Sequence, residues 1–183
     1  MIQLIFDFDG TLFDSSLGIY RSFVFACQKC SLPKPDRNTF SRYIGPPIEG
    51  ILNQLYPDLS LPAKERVVKY FRHHYDNHGY IYSWPYEGIP LMLKFVNSSS
   101  HFLTPCVVTN KPTAPTNTLL VDNDLKDLFN HVVGIDYLST SIDKLNFSCK
   151  SDAISYLVSL IDASSKLIYV GDTLSDKHSA NSA

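Results

Sequence analysis

The stretch Ile2-Gln3-Leu4-Ile5-Phe6-Asp7-Phe8-Asp9-Gly10-Thr11-Leu12 decides how the chain is read. Its apolar run from Ile2 to Phe8 has the length of a buried β-strand. Two carboxylates, Asp7 and Asp9, close that run, and a glycine follows them. Charged groups at the end of a buried strand are costly unless something pairs with them. Side chains two apart at a strand end point to the same side, so Asp7 and Asp9 are expected to serve one site.

Downstream of this strand the pattern turns helical. The spacing of apolar residues predicts helices over Leu17–Lys29, Asp36–Tyr43, Ile48–Leu55 and Pro62–His78, with prolines between them. Pro62 suits a helix start, where its missing N–H is no loss. Alternation then begins. A helix is expected over Ile89–Val96, a strand over Pro105–Thr109, and helices over Thr113–Val121 and Leu125–Phe129. A strand over His131–Ile135, a helix over Asp152–Ile161 and a strand over Leu167–Val170 complete the pattern. Strands separated by helices imply parallel βαβ units, hence an α/β, doubly wound, Rossmann-like sheet. The all-helical insert after the first strand implies a second, smaller domain. The expected division is 1–13 with 83–183 for the α/β core and 14–82 for the helical part, with the first strand central and the second and fourth beside it.

Ligands of a doubly wound sheet bind at the carboxyl ends of its strands. Past the first strand lie Asp7, Asp9, Gly10 and Thr11; past the second, Thr109, Asn110 and Lys111; past the fourth, Gly171, Asp172, Thr173 and Asp176. Clustered carboxylates raise one another's pKa unless a cation joins them. Hard oxygen ligands at an open site favour Mg²⁺, which also accepts phosphate oxygens. One aspartate of the Asp7/Asp9 pair can attack phosphorus while the other donates a proton to the leaving oxygen and later deprotonates water. Gly10 lets the backbone turn close to a phosphate. The Thr109 hydroxyl and nearby amides can bind a phosphoryl oxygen.

These motifs resemble the haloacid dehalogenase superfamily. DFDGTL at Asp7–Leu12 looks like its first motif, VVTN at Val107–Asn110 its second, Lys150 its third and GDTLSD at Gly171–Asp176 its fourth, in the same order and spacing. The insert is similar to the helical cap of the group containing phosphoglycolate phosphatases and pyrophosphatases. IGPPIE at Ile44–Glu49, PYEGI at Pro85–Ile89 and TNKP at Thr109–Pro112 carry that likeness. The resemblance implies that Asp7 is nucleophile and Mg²⁺ ligand, and that Asp9 is acid/base with its backbone carbonyl on the metal. It implies that Gly10, Thr109, Asn110 and Lys150 serve the phosphate, that Asp172 ligates Mg²⁺, and that Asp176 ligates it or orients a metal-bound water. Lys144 competes with Lys150 for the third motif, because Ser151 stands where proline is frequent.

The implied activity is Mg²⁺-dependent hydrolysis of a small organic phosphate monoester through an aspartyl-phosphate. Phosphoglycolate is the first expectation, and pyrophosphate or a nucleotide the second. A phosphosugar mutase, or a remnant that binds a partner without turnover, stays as an alternative. A dehalogenase proper has no need of Asp9 or the Asp172/Asp176 pair, and a receiver domain carries neither DFDGTL nor such an insert. In the cap, Arg42, Tyr43 and Glu49 are candidates for contacting the leaving group. The chain stops at Ala183, inside the helix expected after Asp176, so the C-terminal edge strand of the resemblance is expected to be missing.

Composition agrees. With 183 residues, 44% hydrophobic, and 11 Tyr and 11 Phe, there is ample material for packed cores. A net charge of −2 with scattered lysines gives no basic stripe for nucleic acid or membrane. No apolar run approaches the roughly 20 residues of a membrane span. No signal peptide is read, so the cytoplasm is the expected location, with reduced thiols. The expected partners are small phosphates, and the expected state is a monomer or homodimer. Cys27 and Cys30 form a C-x-x-C at a helix end, and His74 and His78 stand four apart. Neither pair has the further ligands a metal site needs.

Overall fold

The computed structural model describes residues 1–136 and 146–183. Lys144 therefore lies outside the described residues. The chain divides into two compact units, Met1–Asp14 with Pro85–Ala183, and Ser15–Trp84. Each joint carries two residues of extended chain, Phe13–Asp14 and Trp84–Pro85.

The first unit is built on a parallel sheet of four strands: β1 (Ile2–Phe6), β2 (Cys106–Val108), β3 (His131–Val133) and β4 (Lys166–Val170). Their order is β3-β2-β1-β4, so the first strand lies between the second and the fourth. Register is set residue by residue, with Ile5 opposite Cys106, Phe6 opposite both Val107 and Val170, and Val108 opposite Val133. On one face Ile5, Cys106, Val108 and Val133 pack with Ala153, Ile154 and Leu157. The last three have the spacing of one helical face. The strand ends are thereby aligned, and the loops that follow β1, β2 and β4 leave the sheet at neighbouring positions.

The helical unit holds α1 (Ser16–Lys29), α2 (Arg37–Ser41), α3 (Ile48–Leu55) and α4 (Leu61–His74). Phe23, Phe40, Leu52 and Val67 are fully buried at its centre. Asp36 caps α2 by accepting the Thr39 N–H at 2.9 Å, and Pro62 occupies the first turn of α4. The core unit adds α5 (Ile89–Ser98), α6 (Thr113–Asp122), α7 (Lys150–Ser159) and α8 (Leu174–Asn181).

Several boundaries differ from the sequence expectation. The α-geometry expected to run to His78 ends at His74 and widens into one π-turn over Tyr75–Gly79, followed by a 3₁₀ turn over Tyr80–Tyr82. The helix expected over Leu125–Phe129 is a single 3₁₀ turn, Lys126–Leu128. Helix α7 begins at Lys150, two residues before its expected start, which makes that lysine the first residue of a helix. The paired histidines belong to the π-turn region, where His74 Nδ1 lies 3.0 Å from Ser22 Oγ. All four cysteines are free thiols, and Cys27 is buried with its sulfur 3.5 Å from the Tyr56 hydroxyl. No helix among the described residues is long and apolar enough to cross a membrane.

The π-turn is pressed against α1 through two glycines. A Cβ on Gly18 would lie 2.3 Å from the Gly79 carbonyl oxygen, and one on Gly79 would lie 2.2 Å from Ser22 Oγ. Replacing an interior helical glycine by alanine ordinarily gains up to about 1 kcal/mol. Here the obstacle is backbone, so the sign should reverse. Gly18→Ala is expected to lose about 1–3 kcal/mol in chemical denaturation. A stabilised variant would contradict the close approach.

Candidate active site

The loop after β1 is a tight, internally bonded turn. The Phe8 carbonyl accepts the N–H groups of Leu12 and Phe13 at 2.9 and 3.0 Å, and Gly10 donates its N–H to the Phe13 carbonyl at 2.8 Å. The stacked rings of Phe8 and Phe13, both fully buried with centroids 4.4 Å apart, anchor the turn. Gly10 has φ +87°, and a Cβ there would lie 2.4 Å from a carboxylate oxygen of Asp172. Glycine is thus required twice over, by conformation and by space. Since its N–H is spent inside the turn, Gly10 contributes room rather than a donor.

Asp7 stands at the end of β1 and is buried. Lys150 places its ammonium 2.9 Å from Asp7 Oδ1 and 2.6 Å from Asp176 Oδ1. The second oxygen of Asp176 accepts the Thr173 N–H at 3.0 Å and the Thr173 hydroxyl at 2.5 Å. The Thr173 hydroxyl oxygen in turn accepts the Asp176 N–H at 3.2 Å, a reciprocal box that starts α8. Asp172 is exposed, and Thr11 donates its hydroxyl to Asp172 Oδ1 at 3.4 Å. Oxygens of Asp7, Asp172 and Asp176 all lie within 4.8 Å of one another.

Electrostatics follow from this packing. Burial pushes the Asp7 carboxyl up to about 6; Lys150 opposes the rise and the charge of Asp176 adds to it. Partial desolvation raises Asp172 as well, exposed though it is, with Asp176 contributing. Burial works against the charge of Asp176, but the donors Lys150 and Thr173 outweigh it and hold that carboxyl below its usual range. Burial likewise disfavours the Lys150 ammonium, yet Asp7 and Asp176 together hold its pKa above the ordinary lysine value. Three carboxylates with one ammonium paired to two of them form a hard-oxygen donor set with surplus negative charge. Such a set suits Mg²⁺.

The loop after β2 supplies the opposite side. Thr109 is buried, and its hydroxyl oxygen accepts the Lys111 N–H at 3.2 Å. The Lys111 ammonium lies 3.0 and 3.2 Å from the two carboxylate oxygens of Asp9. Asp9 is therefore paired with a different lysine from the one that Asp7 and Asp176 share. Asn110 follows Thr109 and is half-buried. Among the residues considered for the leaving group, Glu49 faces Arg72 at 3.5 Å and Tyr43 packs on the core of the helical unit. Sequence reasoning gathered Lys111 and Thr173 at the strand ends, with a lysine flanking the phosphate, but named no partner for either. The lysine was visible just past the second strand, but only the folded loop pairs it with Asp9.

Residues 4–183 match the haloacid dehalogenase-like hydrolase family. The chain belongs to that family. Among curated relatives of this haloacid dehalogenase-like chain, phosphoglycolate phosphatase of Aquifex aeolicus is 27% identical over 176 residues, covering 96% of this chain and 78% of that protein. A 5'-nucleotidase of Pseudomonas aeruginosa is 33% identical over 110 residues, 60% of this chain and 48% of that protein, so the matched part spans about half of that relative. The crystal structure of a predicted phosphatase from Clostridium acetobutylicum superposes with a TM-score of 0.85 at 26% identity, covering 99% of this chain and 80% of that one.

Removing the shared ammonium should be costly. Lys150→Met leaves Asp7 and Asp176 buried without their common cation, and breaking a buried pair in this way costs about 3–5 kcal/mol. The loss should be seen in urea unfolding at pH 7. It should shrink as the pH falls toward about 6, because without Lys150 the main opposition to the rise of Asp7 is gone. The variant therefore takes up a proton there above the wild-type value of about 6, and one of the two repelling charges disappears. An unchanged midpoint at pH 7 would show that the triad carries no such strain.

Proposed function

We propose that this haloacid dehalogenase-like chain is a Mg²⁺-dependent phosphatase that hydrolyses a small organic phosphate monoester through an aspartyl-phosphate on Asp7. The observation that carries this reading is the buried Asp7 carboxylate, held by Lys150 at 2.9 Å beside Asp172 and Asp176. A fixed carboxylate with a cation at one oxygen is preset to attack phosphorus. Names of relatives add support, since the Aquifex aeolicus protein is a phosphoglycolate phosphatase.

In the first half-reaction an Asp7 oxygen bonds to phosphorus and the ester P–O bond breaks. The Asp9 carboxyl passes its proton to the departing oxygen. In the second, a water oxygen bonds to phosphorus, the bond to Asp7 breaks, and Asp9 takes the proton from that water. Free Asp7 and inorganic phosphate result. Thr109 is suited to donate to a phosphoryl oxygen, since its hydroxyl can donate while its oxygen accepts the Lys111 N–H. Lys150 offsets charge on the phosphoryl group, with Asn110 at the rim. Asp7, the Asp9 carbonyl and Asp172 would hold the metal, with Asp176, engaged by Lys150 and Thr173, ligating it or orienting its water. When bound, Mg²⁺ supplies neutralisation of the clustered carboxylates and withdraws charge from the phosphoryl oxygens.

For substrate we place phosphoglycolate or a related short acid phosphate first. A nucleotide monophosphate is second, on the strength of the Pseudomonas aeruginosa 5'-nucleotidase. The helical unit Ser15–Trp84 is read as the inserted cap that selects among them.

The test is a screen of metabolite phosphates with purified chain and Mg²⁺. Turnover of a small phosphate should vanish with EDTA and in Asp7→Asn, which should also fail to trap a phosphate or fluoride adduct. Asp172→Asn should lose activity and Mg²⁺ dependence together, and Asp9→Asn should slow turnover by about 10²–10⁴-fold. Full activity in EDTA would refute the metal role, and most activity kept in Asp7→Asn would refute the covalent step.

A further inference from the structure

The steps above make no use of the Lys111 side chain, which pairs with Asp9. That ammonium forks onto both oxygens of Asp9, at 3.0 and 3.2 Å, and the lysine side chain is only 5% exposed. Shielding from water and salt makes such a pair far firmer than a surface ion pair. Its base is equally fixed. The Lys111 N–H is bonded to Thr109 Oγ1, and its carbonyl accepts the Ile135 N–H at 3.4 Å. Two residues on, the Thr113 N–H is held by Asp136 Oδ1 at 2.7 Å. Gly134 packs beneath the loop so closely that a Cβ there would lie 2.6 Å from the Lys111 carbonyl oxygen. The β3 end thus buttresses the β2 loop, and the loop delivers the Lys111 ammonium to Asp9.

We infer that Lys111 is a positioning residue for Asp9 in the second half-reaction, an inference that rests on the phosphatase reading. The form of Asp9 that pairs with an ammonium is the carboxylate, which is the form that takes the proton of the attacking water. With both oxygens anchored, the carboxylate keeps one aim, while each oxygen retains a lone pair to accept that proton. Water oxygen to phosphorus is the bond formed, phosphorus to Asp7 oxygen the bond broken, and the proton ends on Asp9. Lys111 touches none of these atoms except through Asp9.

p-Nitrophenyl phosphate separates the half-reactions, because nitrophenolate leaves without a proton and its departure does not need Asp9. In Lys111→Met, kcat on this substrate should fall about tenfold or more, within the range of a misplaced general base. KM should fall with it, kcat/KM should stay within about twofold, and a burst of nitrophenol matching the enzyme concentration should appear. Lys111→Arg, which retains a cationic fork, should recover part of kcat. A fall in kcat/KM equal to the fall in kcat, with no burst, would overturn the inference and assign Lys111 to phosphate binding or to structure alone. If the wild-type chain turns over no phosphate ester at all, the phosphatase reading fails and the base role fails with it. The clamp itself is read separately from the unfolding midpoints of Lys111→Met, Asp9→Asn and the double variant. Losses smaller in the double variant than the sum of the singles support the pair, and strictly additive losses overturn it.

Discussion

A single ammonium, that of Lys150, lies between two buried carboxylates, and the arrangement of the core site depends on it. An uncompensated buried carboxylate costs several kcal/mol, and two facing each other cost more. Lys150 reaches both because it is the first residue of α7, whose apolar face at Ala153, Ile154 and Leu157 is locked onto β1, β2 and β3. Asp176 meets it because the Thr173 box fixes the first turn of α8. The ammonium is therefore aimed by packing on one side and by a helix cap on the other. Its compensation is still incomplete, and the raised Asp7 carboxyl records the remainder. That residual charge is what makes the trio of aspartates a fit for a divalent cation.

Much of this was legible in the sequence, for physical reasons that can be named. A buried strand ending in two carboxylates has few explanations, so the run from Ile2 to Asp9 pointed to a site at a sheet edge. Strands alternating with helices gave a parallel sheet, and the rule that ligands bind at strand ends then gathered Asp7, Thr109 and Asp172 from distant parts of the chain. The element boundaries were less legible. Lys150 was expected to precede its helix, and it is the first helical residue. Periodicity marks the apolar stripe that begins at Ala153 and is blind to the polar first turn. The π-turn at Tyr75–Gly79 was invisible for a different reason: it follows from the contact of Gly79 with α1, a tertiary constraint with no local signature.

Lys111 shows the same limit at the level of chemistry. A lysine just past a strand end was plain to see, but which carboxylate it would choose depended on the path of the loop. That path is set by the Asp136 cap on Thr113 and by the absence of a side chain at Gly134. Neither residue belongs to a motif that names a reaction. A positioning network of this kind is built from groups whose partners are fixed only by folding, so residue type and spacing could not have announced it.

The two aspartates of the first loop illustrate how one short segment can hold two like groups in different settings. Asp7 and Asp9 flank Phe8 in the chain, whose fully buried ring stacks on Phe13 and anchors the turn. Asp7 shares Lys150 with a second acid and sits beside a third. Asp9 pairs with Lys111 through both oxygens. The crowded, partly compensated setting of Asp7 is the one the proposed nucleophile requires, where phosphate charge would be met by cations. The proposed proton carrier requires a fixed aim, and the forked pairing of Asp9 with Lys111 is suited to give it one. Groups alike in chemistry are set to different tasks when their environments are driven apart. Here the two environments are set by two lysines, Lys150 at the first turn of α7 and Lys111 on the loop after β2.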